Sequence, residues 1–345
     1  MKADCPIIDL RGDARSRGRA HGEAARSLIA QHIDGWRTAS EKQTGLSYRE
    51  IIAQMLGGTR FPPAAQRWTP HLWTELEGIA EGAGQNFEDI LLLNLTDEQW
   101  WFFAQRQAEA CTSFAYRDAG GAVWSGQNLD ITGWMDGLQA ILRHDLEPST
   151  GGTSLVATLA GTIGMTGINS FGVSICCNTL LQLPPSAEGL PALFAIRGFL
   201  DQPSLAAGEA FLRCVKHASG LHYLLAGPGE WLGVECDAKG VRRVSGNESW
   251  YAHTNHPKHL PQSGSRSSTD RLAAMESALP DGRGLEALTL SPICRDGSSA
   301  IDPIGFTIFS CYWKNEAGAA ATITPGPPSH ASYRSITQLR GGTDA

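Results

Sequence analysis

The chain has 345 residues, of which 42% are hydrophobic and 18% charged, with a net charge of −7 and a pI near 5.8. That composition allows one large core or two domains, and it excludes a disordered or collagen-like chain. No dense Lys/Arg run suggests nucleic-acid binding. The opening "MKADCPIIDLRGDAR" has no apolar stretch of a secretory signal. The most apolar run, "SLVATLAGTIGMTGINSFGVSICC", is broken by glycines and Asn169, and reads as two strands with a turn, not a membrane span. The eight cysteines are scattered without a CxxC pair, so reduced thiols in the cytoplasm are the expectation.

The first hundred residues read as helices. In "DARSRGRAHGEAARSLIAQHIDGW", Asp13 is the expected N-cap, and Ala25, Leu28, Ile29, His32, Ile33 and Trp36 recur at helical spacing. "PHLWTELEGIAEGAG" sets Leu72, Leu76, Ile79 and Ala83 on one face and stops at Gly84. "NFEDILLLNL" opens on Asn86 with acids in its first turn, which suits the helix dipole.

At Cys111 the text turns β-rich. "CTSFAYR" and "AVWSGQNLD" flank "DAGG", a hairpin signal. Strands follow at "GLQAILRHDL", "TSLVATLAG" and "GVSICCNTL", then helices at "LPALFAIRGFLDQ" and "SLAAGEAFLRCVKHA". Further strands are expected at "LHYLLAG", "EWLGVECDAKGVRRVSG" and "WYAHTN", a helix at "STDRLAAMESALP", and strands at "GFTIFSCYW", "AATITPG" and "SYRSITQL". The order helices, strands, helices, strands points to an α+β layered domain with antiparallel sheets, not a βαβ array.

Candidate chemistry has four locations. Gly161, Gly164, Gly167 and Gly172 do not form GxGxxG, and no helix follows them, which argues against a phosphate site. They make a tight turn, either alone or lining a pocket. His253, His256 and His259 in "HTNHPKH" are spaced for a metal, yet Pro257 interrupts any helix and no cysteine or acid completes the set. Arg334 is either a half-exposed strand residue or a carboxylate clamp. Cys111 is either a buried strand cysteine or a nucleophile placed where helical text gives way to β text.

"ACTSFAYRDAGGAVWSGQNLD" resembles the nucleophile region of the acyl-coenzyme A:6-aminopenicillanic-acid acyltransferase family, which are self-cleaving N-terminal-nucleophile (Ntn) hydrolases of the cysteine peptidase class. "IDLRGDARSRGRAHGEAAR", "AGTIGMTGINSFGVSICCNTL", "HTNHP" and "PGPPSHASYR" are similar to other blocks of that family, in the same order. The resemblance implies a four-layer αββα sandwich. It implies cleavage between Ala110 and Cys111, giving a mainly helical small chain, 1–110, and a large chain, 111–345. The two chains would stay together as a heterodimer within one structural domain.

The implied chemistry is attack of Cys111 on a small-molecule amide through a thioester, with water, an amine or an acyl-CoA partner completing the exchange and no cofactor or metal. The freed α-amine, of ordinary pKa about 7.7–8.0, would take the thiol proton. By the same resemblance Asp130 organises the nucleophile, Asn255 stabilises the oxyanion, and Arg334 is an orienter or substrate clamp. Gly167 is expected beside the substrate. One departure is Ala110, since the family's penicillin-making member has glycine there. Alanine permits attack but lacks glycine's access to φ > 0, so a strained scissile bond would cleave slowly. Two alternatives remain. One is a choloylglycine-type amidase, against which the long helical segment argues. The other is a non-catalytic metal- or ligand-binding protein using the three histidines.

Overall fold

The computed structural model describes residues 5–104, 111–245, 249–297, 305–318, 321–330 and 333–336. Its N-terminal part runs β1 (Ile7–Leu10), α1 (Ala14–Ala24), α2 (Arg26–Thr44), α3 (Tyr48–Gly58), α4 (Phe61–Trp68), α5 (Pro70–Ala83), α6 (Phe87–Leu93) and α7 (Thr96–Phe102). Asp13 caps α1 as expected, accepting from the Ser16 amide at 2.8 Å. Gly84 ends α5 in the left-handed conformation.

Helices α1 and α5 cross at contact distance, and glycines on both make this possible. A Cβ on Gly18 would lie 2.0 Å from the Glu75 carbonyl oxygen, and one on Gly82 would lie 2.2 Å from that of Arg19. The sequence pattern behind this is a pair of Gly-x-x-x-Gly spacings, Gly18/Gly22 and Gly78/Gly82.

After Cys111 come β2 (Thr112–Arg117), β3 (Val123–Thr132), β4 (Gln139–Asp145), β5 (Thr153–Leu159), β6 (Thr166–Asn169) and β7 (Ser174–Thr179). Then follow α8 (Ala192–Leu200), α9 (Leu205–Cys214), β8 (Leu221–Gly227), β9 (Glu230–Asp237), β10 (Gly240–Arg243) and β11 (Trp250–His253). The chain closes with α10 (Arg266–Ala278), α11 (Gly284–Leu288), β12 (Gly305–Lys314), β13 (Ala321–Pro325) and β14 (Arg334–Ile336).

The strands form two sheets, ordered β1-β4-β5-β6-β7-β8-β9-β10 and β11-β2-β3-β12-β13-β14. Pairing is antiparallel throughout except for β1, which lies parallel to β4. The sheets stack with β2 and β3 over β7 and β8. Helices α8 and α9 lie on the first sheet, and α10 and α11 on the second. The layered α+β sandwich expected from the resemblance is the one observed.

The interior between the sheets is partly polar, and its groups are paired. Gln127 exchanges two hydrogen bonds with the Cys177 backbone, at 2.9 and 3.0 Å. Ser125 bonds Ser174 and Asn315. Such networks fix the register of one sheet on the other, because a slipped strand would leave buried donors unmet.

A second polar centre ties the N-terminal segment to the rest. Fully buried Glu75 on α5 faces Arg197 of α8 at 3.2 Å, His144 of β4 at 3.3 Å and Arg17 of α1 at 3.4 Å. These guanidinium and imidazole partners hold its carboxyl well below the ordinary value against the opposing effect of burial. The larger apolar core likewise draws on both sides of Cys111, for example Ile29, Leu76 and Leu92 with Leu142, Val156 and Phe199.

Candidate active site

Cys111 sits one residue before β2 and is buried, 6% exposed. Its Sγ lies 3.9 Å from the carbonyl oxygen of Asp130 on the neighbouring strand β3. Its own carbonyl oxygen accepts from Arg271 Nη1 at 2.7 Å and from Asn178 Nδ2 at 2.9 Å. The nucleophile candidate is therefore held from its C-terminal side by two donors that come from different layers, α10 and β7.

Asp130 is fully buried, and its Oδ1 accepts from Thr307 Oγ1 at 2.7 Å. Thr307 faces Asp130 across the β3–β12 ladder, where the register shifts between Thr307 and Phe309. A bulge of this kind re-aims side chains, and here it falls beside the candidate site. The Arg295 backbone grips the same threonine from both sides, its amide donating to Thr307 Oγ1 at 2.9 Å and its carbonyl accepting from the Thr307 amide at 2.8 Å. The Cys294 thiol next along is pushed up by burial, a shift that the Asp130 charge reinforces and Ser329 opposes.

Asn255 follows β11. Its Oδ1 accepts from Arg271 Nη2 at 3.1 Å, its Nδ2 donates to the Thr179 carbonyl at 3.2 Å, and its amide N–H donates to Ser268 Oγ at 2.9 Å. Thr179 in turn donates to Asp97 on α7 at 2.5 Å. Burial pushes Asp97 up to about 6. Its neighbour Glu98 is pushed up to about 8, first by burial and then by the Asp97 charge. Cys111, Asp130 and Asn255 thus gather at one place.

The arginine at this place is Arg271, not Arg334. Arg271 is 1% exposed and also donates to Thr112 Oγ1 at 2.8 Å. Arg334 is exposed on β14, opposite Ile323 of β13. Four strand steps separate β14 from β2 in the sheet, and at about 4.8 Å a step that is farther than an arginine reaches. Gly167 also lies elsewhere. The neighbouring strand β5 and helix α8 enclose it, and a Cβ there would meet the Leu155 carbonyl at 2.5 Å and Leu200 Cδ1 at 2.9 Å. That glycine serves helix-on-sheet packing. Ala110 lies outside the described residues.

Two of the three histidines of "HTNHPKH" share a partner, Glu235, and the third bonds elsewhere. His253 stacks on His222 and faces Glu235, His256 bonds Ser268, and His259 faces Glu235 from the exposed side. Among the described residues no group of His, Cys, Asp and Glu side chains could hold a metal.

Sequence reasoning missed Arg271, Asn178 and Thr307. For Arg271 there was a signal. The buried stripe of α10 is Ser268, Arg271, Met275 and Ala278, so a charged residue stands on the inward face of an amphipathic helix.

Comparison with known proteins bears on family and fold. The acyl-coenzyme A:6-aminopenicillanic acid acyl-transferase family matches residues 120–291. The chain resembles this family over that stretch. It is 28% identical over 260 residues to the 40 kDa form of acyl-coenzyme A:6-aminopenicillanic-acid-acyltransferase from Emericella nidulans, covering 72% of this chain and 68% of that protein. A mutant of conjugated bile acid hydrolase from Clostridium perfringens shares the fold, with a TM-score of 0.50, 13% identity, and coverage of 66% of this chain and 92% of that one. Penicillin V acylase from Agrobacterium tumefaciens aligns with a TM-score of 0.44 at 14% identity, over 62% of this chain and 83% of that one. Among the described residues no helix is long and apolar enough to cross a membrane.

Proposed function

We propose that the chain is a self-cleaving Ntn enzyme, an amidohydrolase or acyltransferase, with Cys111 as nucleophile. The observation that carries this is the clamp on the Cys111 carbonyl by Arg271 and Asn178, with Sγ turned toward the Asp130 strand.

In the maturation step, Sγ attacks the Ala110 carbonyl carbon. The C–N bond to Cys111 breaks, its nitrogen takes up a proton, and a thioester forms between Ala110 and Sγ. Water then cleaves the thioester, leaving a carboxylate on Ala110 and a thiol on Cys111. The new α-amine accepts the thiol proton in each later turnover. Sγ attacks the substrate amide carbon, the amine leaves with the proton, and the acyl thioester passes to water or to another nucleophile. Asn255 is the donor proposed for the tetrahedral oxyanion. Asp130 and Thr307 hold β3 and β12 in register around Sγ. Arg271 fixes the Asn255 amide by its oxygen, leaving the Nδ2 hydrogen not given to Thr179 as the proposed donor.

Residues 1–110 are proposed to remain bound after cleavage. The Glu75 network and the Asp97–Thr179 bond both cross the cleavage point. The proposed substrates are small N-acyl amides, with amines or acyl-CoA as exchange partners, by analogy with the named acyltransferase relative. A cytoplasmic setting, where thiols stay reduced, is proposed. The test is a chain-length series of N-acyl p-nitroanilides with the wild-type protein and Cys111→Ala. Release of p-nitroaniline by the first and not the second is expected. Equal release by both would reject Cys111.

A further inference from the structure

The Asn178 amide that holds the Cys111 carbonyl has a fixed orientation, and the reason lies one step deeper. A carbonyl oxygen only accepts, so Asn178 must present Nδ2 to Cys111. Its Oδ1 then faces Ser113 Oγ at 2.7 Å and His222 Nδ1 at 2.9 Å, and both must donate. His222 therefore carries its proton on Nδ1. Its Nε2, bare, lies 3.2 Å from the Tyr251 hydroxyl, which donates to it.

The His222 ring is fully buried and stacked on His253, with centroids 3.6 Å apart and planes 4° from parallel. Burial keeps it well below the ordinary histidine value, hence neutral at working pH. Every donor in this chain points the same way, from Tyr251 through His222 and Asn178 to Cys111. A flipped Asn178 amide would set its NH2 group against the Nδ1–H of His222 and its oxygen against the Cys111 oxygen.

We infer that His222 is a positioning residue for the nucleophile, locking the Asn178 amide so that Cys111 is held at its carbonyl. This rests on the reading of Cys111 as nucleophile. His222 touches neither Cys111 nor, in this reading, the substrate, so it acts through Asn178 alone. The Cys111 carbonyl matters most after cleavage, when residue 111 has become a chain end tethered only on that side.

A matched pair of substitutions tests this. Asparagine at 222 places an amide NH2 near the position of Nδ1, whereas glutamine places its amide near that of Nε2. Self-cleavage is followed by denaturing electrophoresis, and kcat and KM are measured on an N-acyl p-nitroanilide. His222→Gln should slow cleavage and lower kcat by about tenfold, the scale of one buried hydrogen bond, with KM unchanged. His222→Asn should recover most of the wild-type rate. His222→Phe, which keeps the stacked ring, should behave like His222→Gln. In the double variant Asn178→Ala/His222→Phe, the loss should equal that of Asn178→Ala alone.

Wild-type rates in both His222→Gln and His222→Phe, equal losses in the Asn and Gln variants, or multiplied losses in the double variant would each overturn the inference. Cys111→Ala run alongside separates the two readings. If it cleaves and hydrolyses like wild type, the nucleophile assignment falls and takes the role of His222 with it. If it is inert while His222→Gln and His222→Phe match wild type, only the role of His222 falls.

Discussion

Arg271→Met is the substitution that separates positioning from stability most sharply. It removes the guanidinium that bonds the Cys111 carbonyl at 2.7 Å, Thr112 Oγ1 at 2.8 Å and Asn255 Oδ1 at 3.1 Å. Charge-assisted hydrogen bonds of this kind contribute about 1.5–3 kcal/mol each. Not all of that is lost. The Cys111 carbonyl keeps Asn178 as a donor, and burying methionine avoids the cost of desolvating a charge. Stability should therefore change by no more than about 2 kcal/mol.

The reaction has no such compensation. The thiol end loses one fixed point, and the Asn255 amide loses the partner that orients it. A deficit of about 3 kcal/mol at the transition state corresponds to roughly a hundredfold slower chemistry. The assay is the rate of self-cleavage and of p-nitroanilide hydrolysis, with a thermal melt on the same preparation. Arg271→Lys, whose ammonium can serve Cys111 or Asn255 but not both in fork geometry, should fall between. A folded Arg271→Met protein that cleaves and hydrolyses at wild-type rate would refute the reasoning.

Other outcomes follow from the same structure. Arg334→Lys should self-cleave and turn over every p-nitroanilide like wild type, because the side chain is exposed on an edge strand; a loss confined to acidic substrates would return it to the site. Glu75→Ala should cost about 3–5 kcal/mol in urea unfolding, since Arg17 and Arg197 would keep buried charges without their shared carboxylate; a change under about 1 kcal/mol would contradict this. Glu98, pushed up to about 8 by burial, holds its proton longer folded than unfolded. Its stabilising effect is present below about pH 4.5 and is lost as pH rises through about 8. Urea midpoints of wild type and Glu98→Gln should therefore diverge over that range in favour of glutamine, and parallel curves would show that burial does not raise the carboxyl.

The change from helical to β text at Cys111 was legible because it depends on local signals, whereas the sandwich was implied by the resemblance. The hairpin of β2 and β3 closes at "DAGG", with the Gly121 amide donating to the Asp118 carbonyl at 3.0 Å. Helix α5 starts at Pro70 and stops before Gly84, where composition says it should. Other features depend on distant partners. β1 is only four residues long, and its parallel pairing with β4 spans more than a hundred residues of sequence, so nothing nearby announces it. Arg334 was readable as a strand residue, but strand order decides what it can reach, and order does not follow from periodicity. Arg271 meets Cys111 across 160 positions. Its only local mark is a charge on the buried stripe of α10. The histidines at 253, 256 and 259 show the converse: even spacing in a loop brings His253 and His259 to Glu235 but leaves His256 on Ser268, so no set of three forms.

The most direct measurement is the intact mass of freshly purified wild-type protein beside Cys111→Ala, both run under denaturing conditions after gel filtration. The wild type should give two masses, corresponding to residues 1–110 and 111–345, from one native peak. Cys111→Ala should give a single mass for residues 1–345. A wild-type chain that stays whole while hydrolysing amides, or a Cys111→Ala chain cut at the same bond, would contradict an N-terminal cysteine nucleophile.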